Sequence, residues 1–211
     1  RLKDLNGKKI GILRNLVPVG QIFYPYLDKA LKNRMPNAEF RTWEMSVLAA
    51  ADARAANLRE VAENSDAVIV AMGMSGGSTT RTAPDAIKIE KFGKPVAFIV
   101  TNCFKSNARF LARSEGLADL AIAPLILDYV PPAEEIESLG IAEKVADEVV
   151  RALTSWSPQP PEIPAIKENS LPFSGKDMFM AHEEMERFFL NDGWSDGLPL
   201  VPPTEEAVAK M

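Results

Sequence analysis

Residues 66–81 read DAVIVAMGMSGGSTTR, an apolar run that passes directly into a segment rich in glycine and hydroxyl groups. The apolar run, residues 66–72, has the length and β-branched content of a buried strand. A helix is predicted over residues 82–92, and its start carries side chains typical of helix caps: Thr82, Pro84 and Asp85. A strand that leads into a helix in this way is typical of a parallel α/β sheet.

The same alternation of strand and helix continues on both sides of this segment. Strands are predicted at residues 8–13, 39–44, 66–72, 95–101 and 120–127. Helices are predicted over residues 24–35, 50–64, 82–92, 106–115 and 141–153. Because a helix separates each strand from the next, the strands must be parallel, with right-handed crossovers. We therefore predict a flavodoxin-like, doubly wound five-stranded sheet in the order 2-1-3-4-5, which binds ligands at the carboxyl ends of strands 1, 3 and 4.

The composition changes after residue 155. Eight of the 16 prolines lie between Pro158 and Pro203, and the net charge of −5 arises in the C-terminal part, since residues 1–150 hold 19 basic and 19 acidic side chains. We predict an α/β domain over residues 1–155, followed over residues 156–211 by a proline-rich linker and docking arm or the start of a further domain. The arm should contain a short helix over 177–191 and a second one capped by Thr204.

Composition excludes several classes of protein. The hydrophobic fraction of 46% and charged fraction of 25% are those of an ordinary globular protein. A single cysteine, Cys103, excludes an internal disulfide and suits a reducing cytoplasm. One histidine and one cysteine leave no structural zinc set. The sequence contains no clustered basic run and no long apolar run, so we expect a cytoplasmic protein without nucleic-acid or membrane partners.

The glycine- and hydroxyl-rich segment is the predicted functional site. Glycines let a ligand approach the backbone, and a helix N-terminus offers unpaired N–H groups that favour an anion or an oxyanion. The predicted catalytic residues are Ser75, Ser78 and Cys103. The predicted substrate-binding residues are Asn15, Gly76, Gly77, Thr79, Thr80, Arg81 and Asn102. The alternative is a plain turn whose polar residues face water.

No cofactor or metal is expected. The glycines do not have the G-x-G-x-x-G spacing of a dinucleotide site, and no Gly-Lys-Ser/Thr of a P-loop follows them. A cluster of His182, Glu183 and Glu186 could be a metal site, but a solvated helix face is the preferred interpretation. Residues 73–77 do match G-x-S-x-G, the nucleophile elbow, and Asp128 and His182 would complete a hydrolase triad. Against this, no His-Gly oxyanion motif precedes Ser75, and His182 lies beyond the proline-rich linker.

The stretch from residues 5–11 (LNGKKIG) to 85–96 (DAIKIEKFGKPV), with Thr101 and Phe104 after the next strand, resembles the UGSC-like proteins over about residues 5–155. That family is named for a motif of selenocysteine or cysteine, glycine, serine and cysteine at the end of a central strand. Its four positions correspond here to Ser75, Gly76, Gly77 and Ser78. Hydroxyl oxygens thus replace both redox-active atoms, and a hydroxyl cannot form the mixed disulfides of thiol exchange.

Together, these residues and the resemblance predict a non-redox enzyme subunit that binds a small anionic or carbonyl-bearing substrate around Ser75. A lyase or hydrolase is favoured over a thiol oxidoreductase. Two alternatives stay open: an inactive structural or regulatory subunit of a larger complex, and a serine hydrolase using the elbow at Ser75. Homo- or hetero-oligomerisation is expected through residues 156–211, where Phe188, Phe189 and Trp194 would be exposed anchors. Residues 194–204 (WSDGLPLVPPT) also resemble a segment found beside or fused to that family.

Overall fold

The computed structural model describes residues 1–46, 48–117, 120–125, 129–157, 171–202 and 204–210. The chain divides into two compact units, Arg1–Pro160 and Pro161–Met211. Asp128, the last two residues of the predicted fifth strand (126 and 127) and the proline-rich stretch 158–170 lie outside the described residues. Within the described residues, no helix combines the length and the apolar character needed to cross a bilayer.

The first unit is a five-stranded parallel sheet with helices on both faces. Its strands are β1 (Lys9–Asn15), β2 (Glu39–Met45), β3 (Ala67–Gly73), β4 (Val96–Thr101) and β5 (Ile122–Leu125). Its helices are α1 (Pro18–Arg34), α2 (Ala51–Glu63), α3 (Gly76–Lys91), α4 (Lys105–Ser114), α5 (Ala133–Ser138) and α6 (Ile141–Thr154), with a 3-10 turn at Asn102–Phe104. The strand order is β2-β1-β3-β4-β5, and every pair is parallel. The predicted flavodoxin-like fold and strand order are confirmed.

Two apolar cores, one on each face of the sheet, hold this unit together. One lies between the sheet and helices α1, α5 and α6, and the other between the sheet and α2, α3 and α4. Strands β3 and β4 are buried along their whole length. A strand that is covered on both faces cannot alternate apolar and polar residues, which is why both strands appear in the sequence as continuous apolar runs.

Three helices differ from the sequence expectation. Helix α1 begins at Pro18, not at Tyr24, because proline is well accommodated in a first turn, where its missing N–H costs nothing. Helix α3 begins at Gly76, not at Thr82. Helix α5 was not predicted, although Pro132 followed by two acidic residues in the first turn is a recognisable helix start.

The second unit contains helices α7 (Met178–Asn191) and α8 (Glu205–Ala209). The side chain of Asp177 caps α7 by accepting from the Met180 amide at 2.9 Å. The Thr204 hydroxyl caps α8 by accepting from the Ala207 amide at 3.1 Å, as the sequence predicted. Among the described residues of this unit, only Met185 is a buried apolar residue. Local contacts therefore carry most of its order.

Aromatic side chains form a small cluster in the second unit. Phe188 and Phe189 pack against Phe173 and Trp194, with ring centroids 5.5–6.0 Å apart. The expectation that Phe188 and Phe189 are exposed is wrong, because these contacts leave both rings half-buried. Trp194 is 64% exposed, in agreement with the sequence prediction. The cluster therefore presents one open aromatic face rather than three.

Candidate functional site

The junction between β3 and α3 is shorter than the sequence suggested. Strand β3 ends at Gly73, and Ser75 is already the N-cap of α3. The Ser75 hydroxyl accepts from the Ser78 amide, and the Ser78 hydroxyl accepts from the Ser75 amide, both at 3.0 Å. This reciprocal arrangement is a capping box. The predicted capping role of Thr82, Pro84 and Asp85 is therefore wrong, since all three lie inside α3.

The two serine hydroxyls are bound to each other as well as to the backbone. Their oxygens are 3.0 Å apart, and the Ser78 hydroxyl also accepts from the Met74 amide at 3.0 Å. Ser78 is buried, whereas Ser75 is exposed to solvent. The hydrogen-bond partners of the Ser75 hydroxyl are both atoms of Ser78, and neither is a base. The arrangement thus suits a hydroxyl that orients or donates better than one that attacks.

Gly76 and Gly77 form the first turn of α3. As the first two helical residues they have amide groups without an acceptor inside the helix, and these amides lie at the positive end of its dipole. Both residues are exposed. A Cβ built on Gly77 would have no neighbour within 4 Å, and one on Gly76 would have only the Phe104 ring, at 3.9 Å. The first turn of α3 is thus uncovered at both glycines.

The end of β4 lies beside this turn. The Thr101 hydroxyl donates to the Gly73 carbonyl at 3.5 Å, and the thiol of Cys103 is 3.6 Å from the same hydroxyl. Asn102 and Cys103 are exposed. Together with the contact of Phe104 near Gly76, these distances bring the Asn102–Phe104 turn to the same rim as the start of α3.

The three other residues of α3 that were predicted to bind substrate have different environments. The Thr79 hydroxyl is fully buried, lacks a hydrogen-bond partner among the described residues, and would be 2.6 Å from a Cβ on Gly73. The Thr80 hydroxyl donates to the Gly76 carbonyl at 2.7 Å. Arg81 is exposed on the second turn of the helix. Of these three, Arg81 is the side chain with both the exposure and the charge to meet a carboxylate.

Asn15 supports the turn between β3 and α3 from the buried side and does not line its exposed surface. It is only 4% exposed, at the end of β1. Its Nδ2 donates to the Met72 carbonyl at 2.5 Å and to the Thr82 hydroxyl at 3.2 Å, and its Oδ1 accepts from the Met72 amide at 3.3 Å. Ala71 pairs with Ile99 and Gly73 with Val100, so Met72 is the extra residue of a bulge in β3. The Asn15 amide thus binds both peptide groups of Met72 that the ladder between β3 and β4 leaves unpaired.

One further residue that the sequence did not reveal, Tyr24, holds this network. The Tyr24 hydroxyl donates to Asn15 Oδ1 at 2.9 Å, and burial raises the pKa of Tyr24 well above its usual value, so the phenol remains a donor. Tyr24 does not belong to a recognisable motif. Helical spacing placed Tyr24 in α1 but could not show which strand end its hydroxyl meets.

An ion pair with α2 also holds α3 in place. The Arg54 guanidinium of α2 binds both carboxylate oxygens of Asp85 at 2.8 Å and donates to the Arg81 carbonyl at 3.1 Å. Burial raises the pKa of Asp85, and the hydrogen bonds from Arg54 oppose that rise. A bidentate pair at this depth sets the orientation of α3 against α2. Asp85, predicted as a cap, therefore has a packing role.

The second unit holds the single histidine of the sequence. His182 Nε2 is 2.6 Å from the Leu200 carbonyl, and the Leu200 amide donates to Glu186 at 2.9 Å. Both side chains thus fix the segment that follows α7. Among the described residues, no three His, Cys, Asp or Glu side chains are grouped in a way that could hold a metal ion.

The parallel strand order and the helices on both faces of the sheet define a flavodoxin-like α/β protein. Within that class, the chain belongs to the UGSC family, whose model matches residues 1–155.

Two solved structures show similarity to this chain, each at 16% sequence identity. A mutant flavo di-iron protein from Thermotoga maritima aligns over 72% of this chain and 37% of its own, with a TM-score of 0.42. A complex of SsGBP with GDP aligns over 68% of this chain and 50% of its own, with a TM-score of 0.35. The chain therefore corresponds to half or less of the length of these two proteins. No curated protein matches it.

Proposed function

We propose that this chain is a cytoplasmic, non-redox enzyme subunit that binds a small anionic or carbonyl-bearing substrate at the start of α3. The observation that carries the proposal is the pair of exposed amides of Gly76 and Gly77 beside the hydroxyl of Ser75. Two amides at the positive end of a helix, with a hydroxyl beside them, are groups that can hold a carboxylate or a developing oxyanion. Arg81 adds a permanent positive charge one turn further along the helix.

The proposal assigns separate roles to the hydroxyls and to Cys103. Ser75 orients the substrate, and Ser78 fixes Ser75 through the 3.0 Å contact between their oxygens. Asn102 and Cys103 line the neighbouring wall at the end of β4. In the positions that correspond to the family motif, Ser75 and Ser78 offer no thiol, so the reaction would be a lyase or hydrolase step rather than thiol exchange.

The test is a titration of the full chain with inorganic phosphate and, separately, with a 2-oxo acid, followed by the NMR shifts of backbone amides. We expect the Gly76 and Gly77 amides to shift most, and Ser75→Ala and Arg81→Ala each to weaken binding several-fold. Thr204→Ala is the matched control, because it removes a hydroxyl N-cap from α8 instead. The proposal fails if these amides do not respond to either probe, or if Thr204→Ala weakens binding as much as Ser75→Ala does.

The second candidate, a catalytically inactive subunit that docks on a neighbour, is supported by a different observation. Large apolar side chains of the second unit are exposed, and among its described residues Met185 is the only buried apolar one. The exposed ones include Met178, Phe179, Trp194, Leu198 and Val201. A partner would cover them. Sedimentation of the full chain over a range of concentrations, with Trp194→Ser/Leu198→Ser as the variant, tests self-association. A chain that is monomeric at every concentration would exclude a homo-oligomer through this unit.

A further inference from the structure

Most arginines of the first unit are neutralised by a carboxylate. Those with an ion pair are Arg1, Arg14, Arg34, Arg41, Arg54 and Arg151. Arg109 and Arg113 of α4, like Arg59 of α2, have no ion pair with any described residue. One turn of helix separates Arg109 from Arg113, so their guanidinium groups lie on the same side of α4.

A large aromatic ring lies between the two unpaired arginines of α4. Phe110 is 68% exposed, although α4 buries Ala108 and Ala112 against the sheet. Ser106, Phe110 and Arg113 are exposed and Arg109 is half-buried; we call the surface that these four residues form the α4 face. An aromatic ring flanked by arginines is the composition of an interface hot spot, because both residue types give much binding energy per contact.

We propose that the α4 face docks an acidic protein partner with an apolar anchor that covers Phe110. Any surface that covers Phe110 must also remove water from Arg109 and Arg113. Taking two unpaired guanidinium groups out of water is costly unless carboxylates meet them. The occupant therefore has to be both apolar at its centre and acidic at its rim. The net charge of −5 of the whole chain disfavours nucleic acid as that occupant.

The position of the α4 face links the partner to the site. Helix α4 starts directly after the Asn102–Phe104 turn, and the Phe104 ring is 3.9 Å from the Cβ position of Gly76. A partner on the α4 face would thus lie next to the space in front of the Gly76 and Gly77 amides. This docking goes beyond the proposed substrate site and does not depend on the chemistry at Ser75.

The probe is a fluorescein-labelled peptide of glutamates with leucines spaced to form one face of a helix. Its binding to the full chain is measured by fluorescence anisotropy at low and moderate salt. We expect saturable binding that weakens with salt, with a loss of about tenfold or more in Arg109→Glu/Arg113→Glu and about tenfold in Phe110→Ser. Lys29→Glu/Lys32→Glu on the exposed surface of α1 makes the same charge change and should leave binding within about twofold.

Two further arms separate the possible occupants. The same peptide with serine in place of leucine should bind at least about tenfold more weakly, because it lacks the anchor. A labelled single-stranded oligonucleotide should bind more weakly than the anchored peptide. The proposal is overturned if the peptide does not bind, if the α1 control weakens binding equally, or if the serine peptide or the oligonucleotide binds as tightly. Self-association that Arg109→Glu/Arg113→Glu abolishes would assign the face to a second copy and also overturn it. Thermal melting of each variant checks that these surface changes leave the fold intact.

Discussion

Helices α6 and α7 have the same length, 14 residues, but they differ in how many of their side chains are buried against the rest of their units. Helix α6 buries a full stripe against the sheet: Ile141, Ala142, Val145, Ala146, Val149, Ala152 and Leu153. Helix α7 buries Met185 alone. Helices of this length are marginal in water without tertiary packing. The comparison teaches that periodicity predicts a helix equally well in both cases, whereas packing decides how strongly it is held.

The largest effect is expected from shortening a side chain that α6 buries against the sheet. Leu153→Ala removes a fully buried side chain and should lower the free energy of unfolding by about 2–5 kcal/mol. Met185→Ala in α7 should lower that free energy by clearly less than Leu153→Ala does, because the described residues of this unit bury no other apolar side chain. Chemical denaturation monitored by circular dichroism measures both. Equal losses in the two variants would contradict the contrast between α6 and α7.

The tight packing of the first unit extends to the turn before α3. Gly73→Ala would place a Cβ 2.6 Å from the Thr79 hydroxyl and 3.0 Å from Val100, so we expect a loss of about 2 kcal/mol. Gly77→Ala is the matched control, because its Cβ would meet nothing within 4 Å. In a helical position it should be neutral or stabilising by about 0.5–1 kcal/mol. If both variants unfold at the same denaturant concentration, the turn is less tightly packed than described.

Removing a helix cap should destabilise the whole first unit but open only one helix in the second unit. Ser75→Ala removes the cap of α3 and should lower the global free energy of unfolding by about 1 kcal/mol. Asp177→Ala removes the cap of α7, and the same loss of about 1 kcal/mol should instead open α7 locally. Hydrogen exchange of the α7 amides should therefore accelerate in Asp177→Ala while the global transition stays in place. A shift of the global transition would mean that α7 is held by more than its own turn contacts.

The smallest effect concerns how the stability of the fold changes with pH. A hydrogen bond from Arg34, with its charge, lowers the pKa of Asp147 on α6. A lowered carboxyl pKa stabilises the fold above the unfolded-state pKa of about 3.9, and this contribution disappears as the pH falls through the folded-state pKa. Asp147→Asn should thus melt slightly lower than the parent near pH 6, and the difference should vanish in acid and shrink in high salt. A difference that grows as the pH falls would contradict this assignment.

The sheet was predictable because its information is local. Continuous apolar runs marked β3 and β4, and the helix between each pair of strands left only a parallel arrangement. The start of α3 was missed because Gly76 and Gly77 have poor helix propensity, so the sequence resembles a loop. A capping box normally has Glu or Gln at its last position, and the serine at position 78 hid this one.

The hydrogen bonds of Asn15 to Met72 and Thr82 could not be predicted either, for a different reason. Asn15 and Met72 are 57 positions apart in the sequence, and the bulge that joins them exists only once β3 and β4 pair out of step. The sequence placed Asn15 at the correct strand end and therefore suggested contact with substrate. Its burial and its three hydrogen bonds to Met72 and Thr82 are properties of the assembled sheet.

The side chains of the network around Met72 are those of Asn15, Tyr24 and Thr82: an amide, a phenol that stays protonated and an alcohol. The turn itself adds peptide N–H groups and the hydroxyls of Ser75 and Ser78. None of these groups gains or loses a proton near neutrality. The hydrogen bonds of the turn itself therefore do not change with pH near neutrality. Behind the turn, Asp85 is the titratable member of the pair with Arg54 that orients α3, and burial raises its pKa. While that pair stays intact, a pH profile of binding at this turn would follow the titration of the ligand, and its midpoint would help to identify the ligand's acidic group.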